Sequence, residues 1–336
     1  MKLVVEGRFA TCMQTVASLL KASDISKSVC FTVEGKVLYI TVVTNLVYQA
    51  AVHIIHNDGV ADATLTVRVL PVMSLFKPTH PVELDFHNDT VRIIQDRAEC
   101  LCSHSDAIIT KRNFPAKETA KSLSTATLLE AIRVLGNANT LKRTLKMEKP
   151  IVFYGDYAIM AYPTMYIKTM SSGIHTAMSV EDAKRVAAFA PTHFIEDDAI
   201  TFYNSSDVLQ VPRTSVTALS NFDALKSTLN KSLKLIPADF VQPLRDIAKA
   251  LPGQDVTLGF YEDGGCVATV TSVSESVTVT LAATQQASPA LVLTAPIDNI
   301  ILAFNLLGDS AINIFYKEVE KVCLCTTATA ILMSLR

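Results

Sequence analysis

The sequence of 336 residues contains no Trp and only 11 Gly and 13 Pro, which excludes collagen-like and low-complexity chains. Charge is also scarce. Asp, Glu, Lys and Arg make up 18% of the chain against 49% hydrophobic residues, a balance too apolar for disorder. Neither sign dominates, since 30 Lys+Arg against 32 Asp+Glu leave a formal net charge of -2. Binding nucleic acid through bulk positive charge is therefore excluded, and any basic patch has to be local. No apolar run approaches the roughly 18 residues of a membrane span. Residues 1–8 alternate like a strand and lack the apolar core of a signal peptide. The seven Cys show neither metal-ligand nor small-disulfide spacing, which fits a reduced, cytosolic setting.

Catalytic signatures are missing too. There is no phosphate-cradling Gly loop, no Gly-x-Ser-x-Gly and no motif that sets a nucleophile beside a base. Cys100 with Cys102, and Cys323 with Cys325, each place two thiols on one strand face. No nearby group adds ligands at a suitable spacing, so they read as buried structural thiols. His53 and His56 are three apart in a strand-like segment, hence on opposite faces. Gly308-Asp309-Ser310 reads as a turn before a strand. No enzyme, metal or cofactor is expected.

What is present is self-similarity. Asn113-Phe114 recurs as Asn221-Phe222, Pro78-Thr79-His80 as Pro191-Thr192-His193, and Cys100-Leu101-Cys102 as Cys323-Leu324-Cys325. The spacings of 108, 113 and 223 residues agree on a period of about 110, and 336 is three units of 112. Apolar residues stepping by four, three and four predict a helix at Phe9, Met13, Val16 and Leu20. Phe240, Leu244, Ile247 and Leu251 repeat those steps, and Leu128, Ile132 and Leu135 give a shorter version. A second helix is predicted in each third, ending near Phe76, Phe189 and Phe304. Strands are expected after each, at 91–94, 199–203 and 311–315.

Between the helices, Val, Thr, Ile and Tyr alternate with period two, most clearly in a strand expected over 272–281. Glu262-Asp263-Gly264-Gly265 predicts a hairpin turn. Linkers are expected at 111–124 and 222–234. The fold class is α+β: three tandem domains, 1–118, 119–230 and 231–336, each with two helices packed on antiparallel sheets.

In this order and period the sequence resembles the bacterial β sliding clamp, the DNA polymerase III β subunit that acts as a processivity factor. The resemblance covers essentially the whole chain. It rests most on the opening Met1-Lys-Leu-Val-Val-Glu strand and the helix after it, and on Thr44-Asn45-Leu46 as a strand after the first hairpin. Asn113-Phe114-Pro115 at a domain end and the C-terminal strand Ala330-Ile-Leu-Met-Ser-Leu-Arg336 add to it. The divergence suits a phage-encoded or otherwise distant member. The resemblance implies a homodimer of three-domain chains closing head to tail into a ring around double-stranded DNA. The ring would hold DNA without regard to sequence and tether a replicative polymerase, and a clamp loader would open it. The setting implied is a bacterial cytoplasm or nucleoid, or a phage-infected cell, with no membrane contact. The alternative is a non-enzymatic β-rich ring or tube assembly protein, for example of a phage, that does not act on DNA.

A ring threaded by DNA needs only scattered cations facing its hole. The candidates are Arg8, Lys21, Lys77, Arg133, Lys184, Arg185, Arg245 and Lys249, with Lys142, Arg143 and Lys146 just after a helix. The six helical segments together with 141–149 carry a net +5, which leaves −7 for the rest. Members of the family bind short linear peptides of the polymerase and loader in an apolar cleft between the second and third domains. The matching residues here are Tyr162, Thr164, Met165, Tyr166 and Ile167, completed by Leu229, Ile331, Leu332, Met333 and Leu335. The family's Gly-His-Arg run is replaced by Thr164-Met165-Tyr166, and the Pro of its C-terminal pattern is absent. A strand alternates faces, so only about half of either run can line one cleft.

Overall fold

A computed structural model describes residues 1–20, 28–59, 62–68, 76–87, 89–138, 149–216, 222–272, 274–281, 290–308, 310–317 and 321–334. The chain divides into two compact units, Met1–Thr125 with Lys184–Arg213, and Ala126–Ala183 with Thr214–Arg336. Strand pairings in both are antiparallel, which makes the fold α+β.

The first unit opens with β1 (Lys2–Val5), α1 (Arg8–Leu19), β2 (Ser28–Glu34), β3 (Val37–Val43), β4 (Val47–Asn57) and β5 (Ala63–Arg68). It continues with β6 (Val82–His87), β7 (Thr90–Gln95), β8 (Ala98–Ser103) and the short β9 (Lys121–Ser122). The second unit holds α2 (Thr125–Ala138), β10 (Ile151–Ala161) and β11 (Met165–Met178), and the chain passes on through α3 (Val180–Phe189). Back in the first unit come β12 (His193–Glu196), β13 (Ala199–Asn204) and β14 (Asp207–Pro212). The rest belongs to the second: α4 (Phe222–Ser227), β15 (Lys231–Leu235), α5 (Ala238–Ala250), β16 (Asp255–Phe260), β17 (Cys266–Thr271) and β18 (Ser276–Leu281). Then follow β19 (Leu291–Pro296), α6 (Ile297–Leu307), β20 (Ile312–Lys317), β21 (Lys321–Cys325) and β22 (Thr329–Ser334).

Each unit follows its own sheets. In the first, the path β8-β7-β6-β1-β4-β14-β13-β12-β9 runs through a pairing of Val208, Leu209 and Gln210 with Gln49, Tyr48 and Val47. In the second, β10-β11-β22-β21-β20-β15 joins β11 to the C-terminal strand, and β18-β17-β16-β19 forms a separate sheet.

The helices expected from apolar spacing are present. α1 buries Phe9, Met13, Val16 and Leu19, α2 buries Leu128, Ile132 and Leu135, and α5 buries Phe240, Leu244 and Ile247, while the expected Leu20 and Leu251 fall one residue past the ends of α1 and α5. Phe9 packs on Phe31 at 5.9 Å, and Phe240 lies 6.4 Å from Phe260 and 6.0 Å from Phe304. Each fully buried ring is worth about 2–3 kcal/mol of apolar burial. The residue capping α1 is Gly7 because a Cβ there would collide with the backbone of Pro78 and His80. α3 ends at Phe189 as expected, and α6 runs three residues beyond the expected end at Phe304, to Leu307. The helix expected before Phe76 lies outside the described residues.

Three local expectations fail. Thr44-Asn45-Leu46 is a turn between β3 and β4, with the Thr44 amide donating to the Leu46 carbonyl at 2.8 Å. The strand expected over 272–281 begins only at Ser276, because Ser272 closes a turn: its Oγ accepts the Glu275 amide at 3.0 Å. The linker expected over 222–234 contains α4 and β15, since burial of Phe222, Leu229 and Leu233 orders it. The Glu262–Gly265 turn forms as expected, with Gly264 at φ +85°.

Candidate functional site

β11, β22, β21 and β20 lie side by side in the second unit, and the register decides which side chains share a face. Met165 pairs with Met333, Tyr166 with Leu332, Ile167 with Ile331 and Lys168 with Ala330. β22 in turn sets Leu332 against Cys323 and Ala330 against Cys325. Opposed residues in an antiparallel pair point to one face. Tyr166, Leu332, Ala330, Cys323 and Cys325 therefore share a face, on which Phe222 and Leu229 pack to form one apolar cluster with Phe315. Met165, Ile167, Ile331 and Met333 point to the other face and are at most 2% exposed.

The ten proposed cleft residues thus divide. Tyr166, Leu229 and Leu332 come together. Met165, Ile167, Ile331 and Met333 are core on the reverse face. Tyr162 is buried, its hydroxyl donating to the Ala138 carbonyl at 3.4 Å. Thr164 is half-buried, and its carbonyl accepts the Ser334 amide at 3.1 Å. Leu335 lies outside the described residues.

α4 supplies what the sequence reading missed. Phe222 stacks on Tyr166 at 5.3 Å. Asp223 receives the Lys168 ammonium at 2.8 and 2.9 Å. Lys168 also lies 4.3 Å from the Tyr157 ring centre, a cation–π contact. Tyr157 reaches it because the β10–β11 register shifts at Gly155, whose φ of +66° favours glycine. Lys226 lies 5.3 Å from the Phe315 ring centre.

Beside the cluster opens a cavity of about 350 Å³, lined by Asp156, Tyr157, Lys168, Met170, Phe222, Asp223, Lys226 and the 326–330 turn. Burial pushes the Tyr166 phenol up to about 12, so its hydroxyl stays protonated beside this cavity. The arrangement is an apolar floor with charged rims, suited to holding an extended apolar segment. A signal for α4 existed in the sequence, since Asn221-Phe222 marks the period.

The proposed DNA-facing cations are placed unevenly. Arg8 donates to the Ala51 carbonyl and to Asp207, and Tyr48 donates to the other Asp207 oxygen at 3.3 Å. Burial raises the Asp207 carboxyl, against the pull of Arg8. Arg185 is buried and donates to the Asn45 side chain at 3.0 Å. Arg133 is held by Glu130 at 2.6 Å and Lys249 by Asp246 at 3.1 Å, both exposed pairs. Arg245 is exposed, donates to Asn305 at 2.9 Å, and lines a cavity of about 310 Å³ shared by α5 and α6. Lys77 and Lys184 are exposed. Lys21, Lys142, Arg143 and Lys146 lie outside the described residues. Among the described residues no three His, Cys, Asp or Glu side chains are grouped to hold a metal ion, and no helix is long and apolar enough to cross a membrane.

No protein-family model matches this sequence, and no curated protein sequence matches it. Solved structures do. The DNA polymerase III subunit beta from Pseudomonas aeruginosa has a TM-score of 0.81 at 10% identity, covering 100% of both chains. The DNA polymerase sliding clamp from Caulobacter crescentus has a TM-score of 0.79 at 10% identity, covering 100% of this chain and 99% of that one. The Helicobacter pylori β clamp bound to a DNA ligase peptide has a TM-score of 0.76 at 13% identity over 100% of both. The chain has the fold of the bacterial β sliding clamps along its whole length.

Proposed function

We propose that this chain is a non-catalytic DNA sliding clamp, a ring-shaped processivity factor that encircles duplex DNA and tethers a replicative polymerase. The full-length likeness to β clamps, at TM-scores of 0.76 to 0.81, carries this reading. In it, two copies close head to tail, and each contributes three domains, 1–118, 119–230 and 231–336. A heterologous contact of this kind closes when its rotation permits. A topological link needs no tight DNA affinity, so the net charge of -2 is compatible with it. Lys77, Arg133, Lys184, Arg245 and Lys249 are the exposed cations that would meet phosphates without reading bases.

The polymerase and a clamp loader would dock short linear peptides on the face of Tyr166, Phe222, Leu229 and Leu332. That a Helicobacter pylori clamp binds a DNA ligase peptide supports peptide docking as the mode. The test is retention on DNA after loading onto a closed circle. Rapid loss once the circle is linearised, with retention while it is closed, supports the clamp. Equal retention on both sinks it. Light scattering should give twice 36.5 kDa, and a monomer would remove the ring.

A further inference from the structure

The cavity of about 310 Å³ between α5 and α6 is a groove with an apolar floor and a polar mouth. α5 turns Ala238, Val241, Gln242 and Arg245 toward it, a spacing of i, i+3, i+4 and i+7 that puts residues on one helix face. α6 adds Phe304 and Asn305 near its end. Gly308 follows at φ +75°, and a Cβ placed on it would meet nothing within 4 Å, so the groove stays open at that end. Phe304 is buried beneath, while Gln242, Arg245 and Asn305 are exposed at the mouth.

Arg245 crosses this mouth from one helix to the other, its Nη2 donating to Asn305 Oδ1 at 2.9 Å. Asn305 is neutral, so the guanidinium is oriented without being neutralised. Arg8, Arg133 and Lys249 differ, each paired with a carboxylate: Asp207, Glu130 and Asp246 respectively. Asp246 follows Arg245 in the chain but is turned away from it. Gln242 Nε2 donates to both Asp246 oxygens at 3.0 Å, and Lys249 to one at 3.1 Å. Asp239 and Asp298 lie in the first turns of the two helices. They stand about 9 and 10 Å along the helix axes from Arg245 and Asn305 respectively. Among the described residues no ion pair includes Arg245.

We propose that this groove is a seat for one phosphate group, gripped by the Arg245 fork and the Asn305 amide. Arginine presents planar donors that match phosphate oxygens two at a time. Asn305 turns its oxygen to Arg245, which leaves its NH2 to donate. The room over Val241 and Phe304 takes the sugar carbons beside the phosphate. The backbone of duplex DNA is the source, an assignment that rests on the clamp reading; free phosphate is the other source of the same chemistry. The seat differs in kind from the scattered cations. Lys77, Lys184 and Lys249 are point charges on flexible stems and accept a phosphate in many positions, whereas a fork held across two helices fixes where one phosphate sits.

The test has two arms on the full-length chain. One titrates a labelled short blunt duplex, read by anisotropy at several salt concentrations. The other adds inorganic phosphate and reads broadening of its phosphorus resonance. Arg245→Lys decides between a seat and a diffuse contact, because it keeps the charge and removes the fork. It should weaken duplex binding about tenfold at unchanged salt slope, and abolish the broadening. Arg245→Gln should weaken binding further and reduce the slope by about 0.9. Asn305→Ala removes no charge and should weaken both readouts at unchanged slope. Both positions are exposed, and thermal melts check that the variants fold. Phosphate that stays sharp with the unmutated chain, or Arg245→Lys that behaves like it in both arms, overturns the seat. Broadening lost in the variants with duplex affinity untouched overturns the duplex as its source. The phosphate arm needs neither DNA nor a ring, so it can fail while retention on closed circles succeeds, and the reverse.

Discussion

Cys100-Leu101-Cys102 on β8 and Cys323-Leu324-Cys325 on β21 are one tripeptide in two surroundings. On β8 the sulfurs stand 3.7 Å apart, and the shared face meets Val91 and Ile93, both 0% exposed. Burial raises Cys100 there. On β21 the same face meets Phe315, Leu332 and Ala330, with a lysine and a cavity beside it. The middle residues differ as well: Leu101 is 53% exposed at the end of its sheet path, whereas Leu324 is 1% exposed inside its sheet. The chemistry of a short motif is set by what the register brings opposite it. Burial among aliphatic groups keeps a thiol protonated, and a neighbouring cation favours its ionised form.

The largest effect should come from the apolar neighbours. Ile93→Ala is expected to cost about 3–4 kcal/mol, because a closed aliphatic face cannot collapse onto the void. Leu332→Ala, beside an existing cavity, should cost about 2 kcal/mol. Denaturant unfolding measures both, and equal losses would erase the contrast.

Serine substitution should separate the two pairs next. Cys102→Ser leaves a hydroxyl among aliphatic groups, at about 2 kcal/mol. Cys325→Ser should cost under about 1 kcal/mol, since Cys323 and Lys226 remain as partners. The reverse order in thermal or denaturant melts would place the polar neighbourhood on the wrong strand.

The smallest effect is the pH dependence, and its sign differs between the pairs. Cys100 is raised in the folded state. Its contribution is present below the unfolded thiol value and lost as pH rises through the folded one. Cys325 is lowered, so its contribution is present above the unfolded value and lost as pH falls through the folded one. Between pH 7 and 10, Cys100→Ala should make the slope of stability against pH more positive and Cys325→Ala more negative. Each change is bounded by about 1.4 kcal/mol per pH unit. Slope changes of one sign in both variants would refute the assignment.

Much of the fold was legible in the sequence. The four-three-four apolar steps placed α1, α2 and α5, and alternation placed β7, β13 and β20. What failed failed for local reasons. Ser272-Val-Ser-Glu-Ser carries the alternation of a strand, but the Ser272 hydroxyl accepts the Glu275 amide three residues on and closes a hairpin turn. Phe222-Asp-Ala-Leu-Lys is polar enough for a linker, and only packing of Phe222 on Tyr166 shows it to be a helix. In the site, Tyr166 and Met165 are adjacent and equally apolar to a reader of the sequence, yet they point to opposite faces.

The sequence by itself determined an α+β chain of antiparallel strands and amphipathic helices, because periodicity and turn chemistry act over a few residues. Tertiary structure alone decided that Arg8 spends its charge on Asp207, 199 positions away, and that Arg185 turns inward to Asn45. It also decided that one Cys-Leu-Cys run lies beside a lysine and the other does not. These are consequences of strand register and of which chain segments are brought together, and contacts between positions far apart in sequence leave no mark in any local pattern.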